Sequence, residues 1–247
     1  MHREDLSCIQ KPQEKPEALA GLQMEFACVI LFLVLGTCGA TPQDLRGKMF
    51  TFPEDYDSGF VRVDLDQKEL RSFTVCMRVF TDLVRVHNLF QLTTNSSYNP
   101  DRNFVIYNDP NRDYDYNNYL VKYNGSSIYF YMKDYKINTW QSLCVSWAAV
   151  TGVVRVWIDG KHSSTKFISQ SIMEGPMAII IGKDTRSYSG SSFVGMISDL
   201  HLWDNEFIPP PMQNLGLSTH FIQGNVLSWS SLDYQIHGRV LLEFKYI

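Results

Sequence analysis

Long apolar runs are scarce in this 247-residue chain, and the longest, Phe26-Ala-Cys-Val-Ile-Leu-Phe-Leu-Val-Leu35, has only ten residues. A membrane-crossing helix needs roughly 20, so no span is expected. Charge of one sign is also missing. Against 26 Asp and Glu stand 22 Lys and Arg, the formal net charge is −4, and no block of like charge or low-complexity tract occurs. Composition therefore argues against nucleic acid and anionic membrane as partners. Catalytic constellations are lacking too. The six histidines are scattered, without metal-ligand spacing, and His201 inside a strand pattern reads as a packed or surface residue. There is no glycine-rich phosphate loop, and no alternating carboxylate triplet of the kind a jelly-roll glycosidase uses to flank a sugar. Asp113-Tyr-Asp115-Tyr-Asn117 imitates the opening of an EF-hand loop, but Asn118 and Asn124 stand where that loop needs glycine and a bidentate glutamate. It reads as a polar loop. No enzymatic site is expected.

The apolar run over 26–35 is followed by small residues through Ala40, the pattern of a secretory signal cleaved before Thr41. Residues 1–23 are polar and precede Met24, itself a natural initiator, so 1–40 reads as an upstream extension plus signal peptide and 41–247 as the mature domain. Of the five cysteines, Cys8, Cys28 and Cys38 fall before that cleavage site. Cys76 and Cys144 remain, either as two buried thiols or as one disulfide. In a secreted chain the even count argues for the bond.

What the chain does have is alternation. Val61–Leu65, Phe73–Phe80, Asn103–Tyr107, Ser127–Met132 and Gly238–Phe244 read as strands, and Met177–Gly182 as a continuous buried run. Trp140–Lys161 reads as a meander with turns at Thr151-Gly152 and Asp159-Gly160, and Asn124-Gly125 marks another hairpin. One short helix is expected after Trp203-Asp204, where Pro209–Pro211 would occupy a first turn before Met212–Leu217. Many strands with Gly and Asn turns predict an all-β, two-sheet antiparallel sandwich in a single domain. Asn95-Ser-Ser97 and Asn124-Gly-Ser126 are glycosylation sequons in turn-like contexts.

The run Ser142-Leu-Cys144-Val-Ser146-Trp147-Ala-Ala149 is similar to the short signature of the pentraxin family, His-x-Cys-x-(Ser/Thr)-Trp-x-(Ser/Thr), with the first and last positions changed. The likeness extends in order from Asp44-Leu-Arg-Gly-Lys-Met-Phe-Thr-Phe-Pro53 to Ser192-Phe-Val-Gly195 and onward to the C-terminus. The chain thus resembles a secreted, non-enzymatic recognition protein of innate immunity. The resemblance implies a legume-lectin-type jelly roll, the Cys76–Cys144 disulfide, a cyclic homo-oligomer usually of five subunits, and two calcium ions per subunit holding a phosphate-bearing or other anionic ligand.

Carried over residue by residue, the family's calcium ligands fall on Asp101, Asn103, Asp184 and Thr185. Arg102 and Arg186 replace two further ligands, Ser191 replaces a glutamine, and about five loop residues are missing. Calcium needs six to eight oxygens, so the double site is expected to be altered or lost. At the ligand pocket Tyr107 takes the place of an aromatic residue, Ser127 that of a glutamate and Lys122 that of a small residue, while Lys183 is also placed near this face. Asn108–Asn118 reads as an insertion that reshapes the rim. Positive charge is thus expected where the family uses calcium. The alternative is an oligomeric lectin-fold structural protein without a small-ligand site.

Overall fold

The computed structural model describes residues 41–54, 59–94, 102–111, 116–133, 136–183, 191–206 and 223–245. The strands are β1 (Lys48–Phe52), β2 (Phe60–Leu65), β3 (Glu69–Leu70), β4 (Ser72–Phe80), β5 (His87–Thr94), β6 (Phe104–Asn111), β7 (Tyr116–Tyr123), β8 (Ser126–Lys133) and β9 (Gln141–Ala148). There follow β10 (Val153–Ile158), β11 (Lys161–His162), β12 (Lys166–Phe167), β13 (Met173–Glu174), β14 (Met177–Ile181), β15 (Gly195–Trp203), β16 (Gln235–His237) and β17 (Leu241–Phe244). An eight-stranded sheet has the order β11-β10-β9-β4-β15-β1-β17, with β12 also on β10. A seven-stranded sheet has the order β16-β2-β14-β5-β6-β7-β8, and β13 pairs with β3 alone. The expected all-β antiparallel jelly-roll sandwich is what forms. The expected helix over 209–217 lies outside the described residues.

Aromatic side chains pointing inward from both sheets make the core. Phe104 of β6 meets Phe73 of β4 edge-on at 4.8 Å, and Tyr123 of β7 meets Trp147 of β9 at 5.0 Å. Phe50, Phe73, Phe90, Phe104, Phe130 and Trp147 are fully buried, each such side chain stabilising the fold by about 1.5–3 kcal/mol. Two hairpins turn where the sequence places Asn-Gly and Asp-Gly. Asn124 and Gly125 have φ of 48° and 76°, Asp159 and Gly160 47° and 75°, the left-handed pair that matches strand twist in a two-residue turn. Cys76 and Cys144 lie directly opposite each other on β4 and β9 and are bonded, on the outer side of the first sheet between Trp157 and Trp203.

The last strand begins at Leu241, not Gly238, because Gly238 has φ of 69° in a bend. Asn108–Asn118, read as an insertion, prolongs a hairpin at both its ends. The β6–β7 ladder continues through Asn108↔Tyr119, Asp109↔Asn118, Pro110↔Asn117 and Asn111↔Tyr116. β5 stops pairing at His87↔Asn108, so Pro110 sits where β6 has a neighbour on one side only, and a residue without an N–H is accommodated.

Candidate ligand-binding face

On the seven-stranded sheet, Phe104 and Ile106 of β6, Tyr119 and Val121 of β7, and Ile128 and Phe130 of β8 belong to the core. Alternation then assigns Val105, Tyr107, Asp109, Asn118, Leu120, Lys122, Ser127, Tyr129 and Tyr131 to the opposite, outer face. Register arranges them in three rows across the strands: Val105–Lys122–Ser127, Tyr107–Leu120–Tyr129 and Asp109–Asn118–Tyr131. Val105, Tyr107 and Leu120 form a small apolar cluster of their own, separate from the core.

The structure brings three of the sequence-derived ligand residues together. Lys122 Nζ stands 4.9 Å from the centre of the Tyr107 ring, and Ser127 is its cross-strand partner. A lysine over an aromatic face gains about 0.5–2 kcal/mol depending on how far it is desolvated. Tyr107 is only 5 % exposed while Ser127 is open to solvent, so the ammonium closes over the ring and leaves the hydroxyl beside it free to be reached. Along the row of Tyr131, burial pushes the Asp109 carboxyl above its ordinary range.

Other sequence-derived positions are spread out. Arg102 is exposed in the turn before β6, and Asn103 next to it is buried. Burial pushes the Tyr123 phenol up, and the positive charge of Arg102 opposes that shift. Strand β6 runs parallel to β14 with β5 between them, Phe104 lying level with Ile179 through Leu92. Arg102 is therefore level with the start of β14 and Lys183 with its end. Lys183 Nζ is 5.7 Å from the ring centre of Phe60, which stacks on His237. With three strand spacings of about 4.8 Å between β2 and β6, Lys183 is not a neighbour of Lys122. The half-buried Ser191 accepts a hydrogen bond through its carbonyl from the Asn88 N–H at 2.8 Å. Asp101, Asp184, Thr185, Arg186 and the sequon residue Asn95 lie outside the described residues. At the other sequon, Asn124 Nδ2 donates to Ser169 Oγ at 3.0 Å and Ser171 Oγ at 2.7 Å, so the amide that would carry a glycan is already engaged.

Among the described residues, no three His, Cys, Asp or Glu side chains gather as metal ligands. The described family positions hold an exposed guanidinium at Arg102, a buried amide at Asn103 and a carbonyl at Ser191 already accepting from Asn88. Among the described residues these groups bring no carboxylate to a calcium ion, which takes six to eight oxygens. Sequence reasoning missed two features. Tyr129 and Tyr131 carry the same alternation as the buried Ile128 and Phe130, and nothing in the pattern says which set faces out. Asn88 is fully buried beside Tyr107, and its side-chain amide has no hydrogen-bond partner; no signal in the sequence marks it.

Comparison with known proteins accords with this geometry. C-reactive protein of Xenopus laevis is 32% identical over 216 residues, covering 82% of this chain and 85% of that protein. Mucosal pentraxin of Bos taurus is 33% identical over 223 residues, covering 87% and 96%. The native heptameric SAP-like pentraxin from Limulus polyphemus superposes with a TM-score of 0.72 at 21% identity, over 82% of this chain and 97% of that one. Among the described residues, no helix is long and apolar enough to cross a membrane. The relatives are binding proteins, and this chain is a binding protein and not an enzyme. The Pentaxin family profile matches residues 48–243, nearly the whole of the sandwich, and the chain belongs to that family.

Proposed function

We propose that this protein is a secreted, oligomeric recognition protein of innate immunity that binds an anionic group through fixed positive charge, without the paired calcium ions of its family. The observation that carries this reading is Lys122, held 4.9 Å over Tyr107 and opposite the exposed Ser127. A unit charge at about 4 Å attracts an opposite one by about 4 kcal/mol at an effective dielectric of 20 and repels a like one as strongly. A phosphate or carboxylate is therefore favoured here and a quaternary ammonium disfavoured. The exposed Arg102 lies apart from Lys122, in the turn before β6. Secretion is supported by the apolar run over 26–35 with the small residues after it, and by the kinship to C-reactive protein and mucosal pentraxin. Assembly into a ring is supported by the sheet edges. Phe167 on β12 is 69% exposed, and Leu241 and Phe244 on β17 at the far end of the same sheet are 49% and 71% exposed. Two different apolar edges fit a head-to-tail contact, which makes a ring when the rotation between subunits closes.

A second reading rests on the slight exposure of Tyr107: Lys122 seals the old pocket, and the protein acts through its assembly alone. Calorimetric titration with inorganic phosphate in EDTA separates the two. The proposed site predicts binding that falls at least about tenfold in Lys122→Ser, with phosphocholine no better than phosphate. Absence of phosphate binding by the native protein would leave only the second reading.

A further inference from the structure

We propose that the free edge of β8 takes up an extended acidic peptide as an added strand, an interaction separate from the Lys122 site and not dependent on it. β8 is the last strand of its sheet, and all eight of its residues pair with β7, from Tyr123↔Ser126 to Tyr116↔Lys133. The two-residue Asn124-Gly125 turn makes Tyr123↔Ser126 a pair that exchanges both backbone hydrogen bonds, and such pairs recur at every second residue. Ser126, Ile128, Phe130 and Met132 therefore direct their backbone groups to β7. Ser127, Tyr129, Tyr131 and Lys133 direct theirs to the open side.

Proteins guard such an edge with a proline, a bulge, a very short strand or a charge. β8 contains no proline, and its register is unbroken. One lysine reaches it from the other sheet. Lys166 of β12 has its Nζ 5.7 Å from the Phe130 ring centre and 5.2 Å from that of Tyr131. Phe130 is fully buried in the core, whereas Tyr131 is 63% exposed on the outer face. An ammonium close to both rings, on opposite faces of one strand, stands beside the edge itself. Phe167, the next residue on β12, points to the other side by alternation, so the ring contact proposed for it leaves Lys166 facing β8. Any incoming strand has to cover this ammonium. A neutral strand would desolvate it without a partner, and a basic strand would repel it. A strand with a carboxylate level with Phe130 and Tyr131 pairs with it and still makes the main-chain bonds by which sheet edges take up peptides.

The test is fluorescence anisotropy on the full chain in EDTA with four labelled octapeptides of alternating valine and threonine. One carries two central glutamates, one carries two central lysines, one is unchanged, and one is the acidic peptide interrupted by proline. The acidic peptide should bind about tenfold or more tightly than the other three. Lys166→Glu should reverse the order of the acidic and basic peptides. Tyr131→Pro should abolish binding with the melting temperature little changed, since the Tyr131 N–H faces the open side and the ladder to β7 does not use it. Should that variant fail to fold, the Lys166→Glu reversal decides. If the proline-interrupted peptide binds as well as the acidic one, charge alone is responsible and strand addition is rejected. If Lys166→Ser binds the neutral peptide more tightly than the native protein binds the acidic one, or self-associates in light scattering, Lys166 only guards the edge and the proposal is overturned. Absence of acidic-peptide binding by the native protein overturns it as well.

Discussion

His87 and His201 show what single buried residues contribute. Both sit within strands, and burial lowers each imidazole pKa to about 4. His87 Nδ1 is hydrogen-bonded to the Arg85 carbonyl at 2.8 Å, which fixes the proton on that nitrogen, and His201 Nδ1 accepts from the Gly224 N–H at 3.3 Å. Both are neutral in the fold, whereas the unfolded chain titrates near 6.5. Stability is thus full above pH about 6.5 and declines as the unfolded chain takes up protons ahead of the native one, until pH falls through about 4. Unfolding free energies from urea titration at pH 7.5 and 4.5 should differ by up to about 3 kcal/mol for each histidine, and His201→Gln should flatten part of that slope. At this scale the sequence was uneven. It left His201 as either a packed or a surface residue of a strand, and the resemblance placed Lys122 and Tyr107 at the ligand face. It could not reveal that Lys122 lies over Tyr107, because rotamers and cross-strand register decide that contact.

Among the elements, β4 and β9 were each legible as strands from alternation, and the count of cysteines argued for a bond between them. The register that sets Cys76 opposite Cys144 came with the structure. Their bond closes a sequence separation of 68 residues and by the chain-entropy treatment stabilises the fold by about 4 kcal/mol. Cys76→Ser/Cys144→Ser should lose about that amount in chemical denaturation. The fluorescence of Trp157 and Trp203, which flank the bond, should change as well. The β6–β7 extension was not legible, since Asp109-Pro110-Asn111 and Tyr116-Asn117-Asn118 lack apolar alternation. The buried positions there include Asn108 and Asn118, polar residues that write no apolar period into the sequence.

For the whole molecule, the sandwich was readable because nearly every strand must bury one side, and a period of two survives in the residues. Assembly is less readable, since it depends on what the edges expose after folding. Phe167 on one edge and Phe244 on the other are the proposed contacts of the ring. Phe244→Glu should shift the protein from oligomer to monomer in light scattering, with the melting temperature little changed. An unchanged oligomer would place the interface elsewhere. Fixed positive charge in place of calcium is the central claim, and thermal melting in 1 mM calcium against EDTA tests it most directly. A site with Kd of about 10 μM would add about 2.7 kcal/mol at that concentration, raising the melting temperature of a domain this size by roughly 5–10 °C. We predict a shift below about 1 °C, smaller than any such site would give. A rise of several degrees would contradict the account and restore calcium to the ligand face.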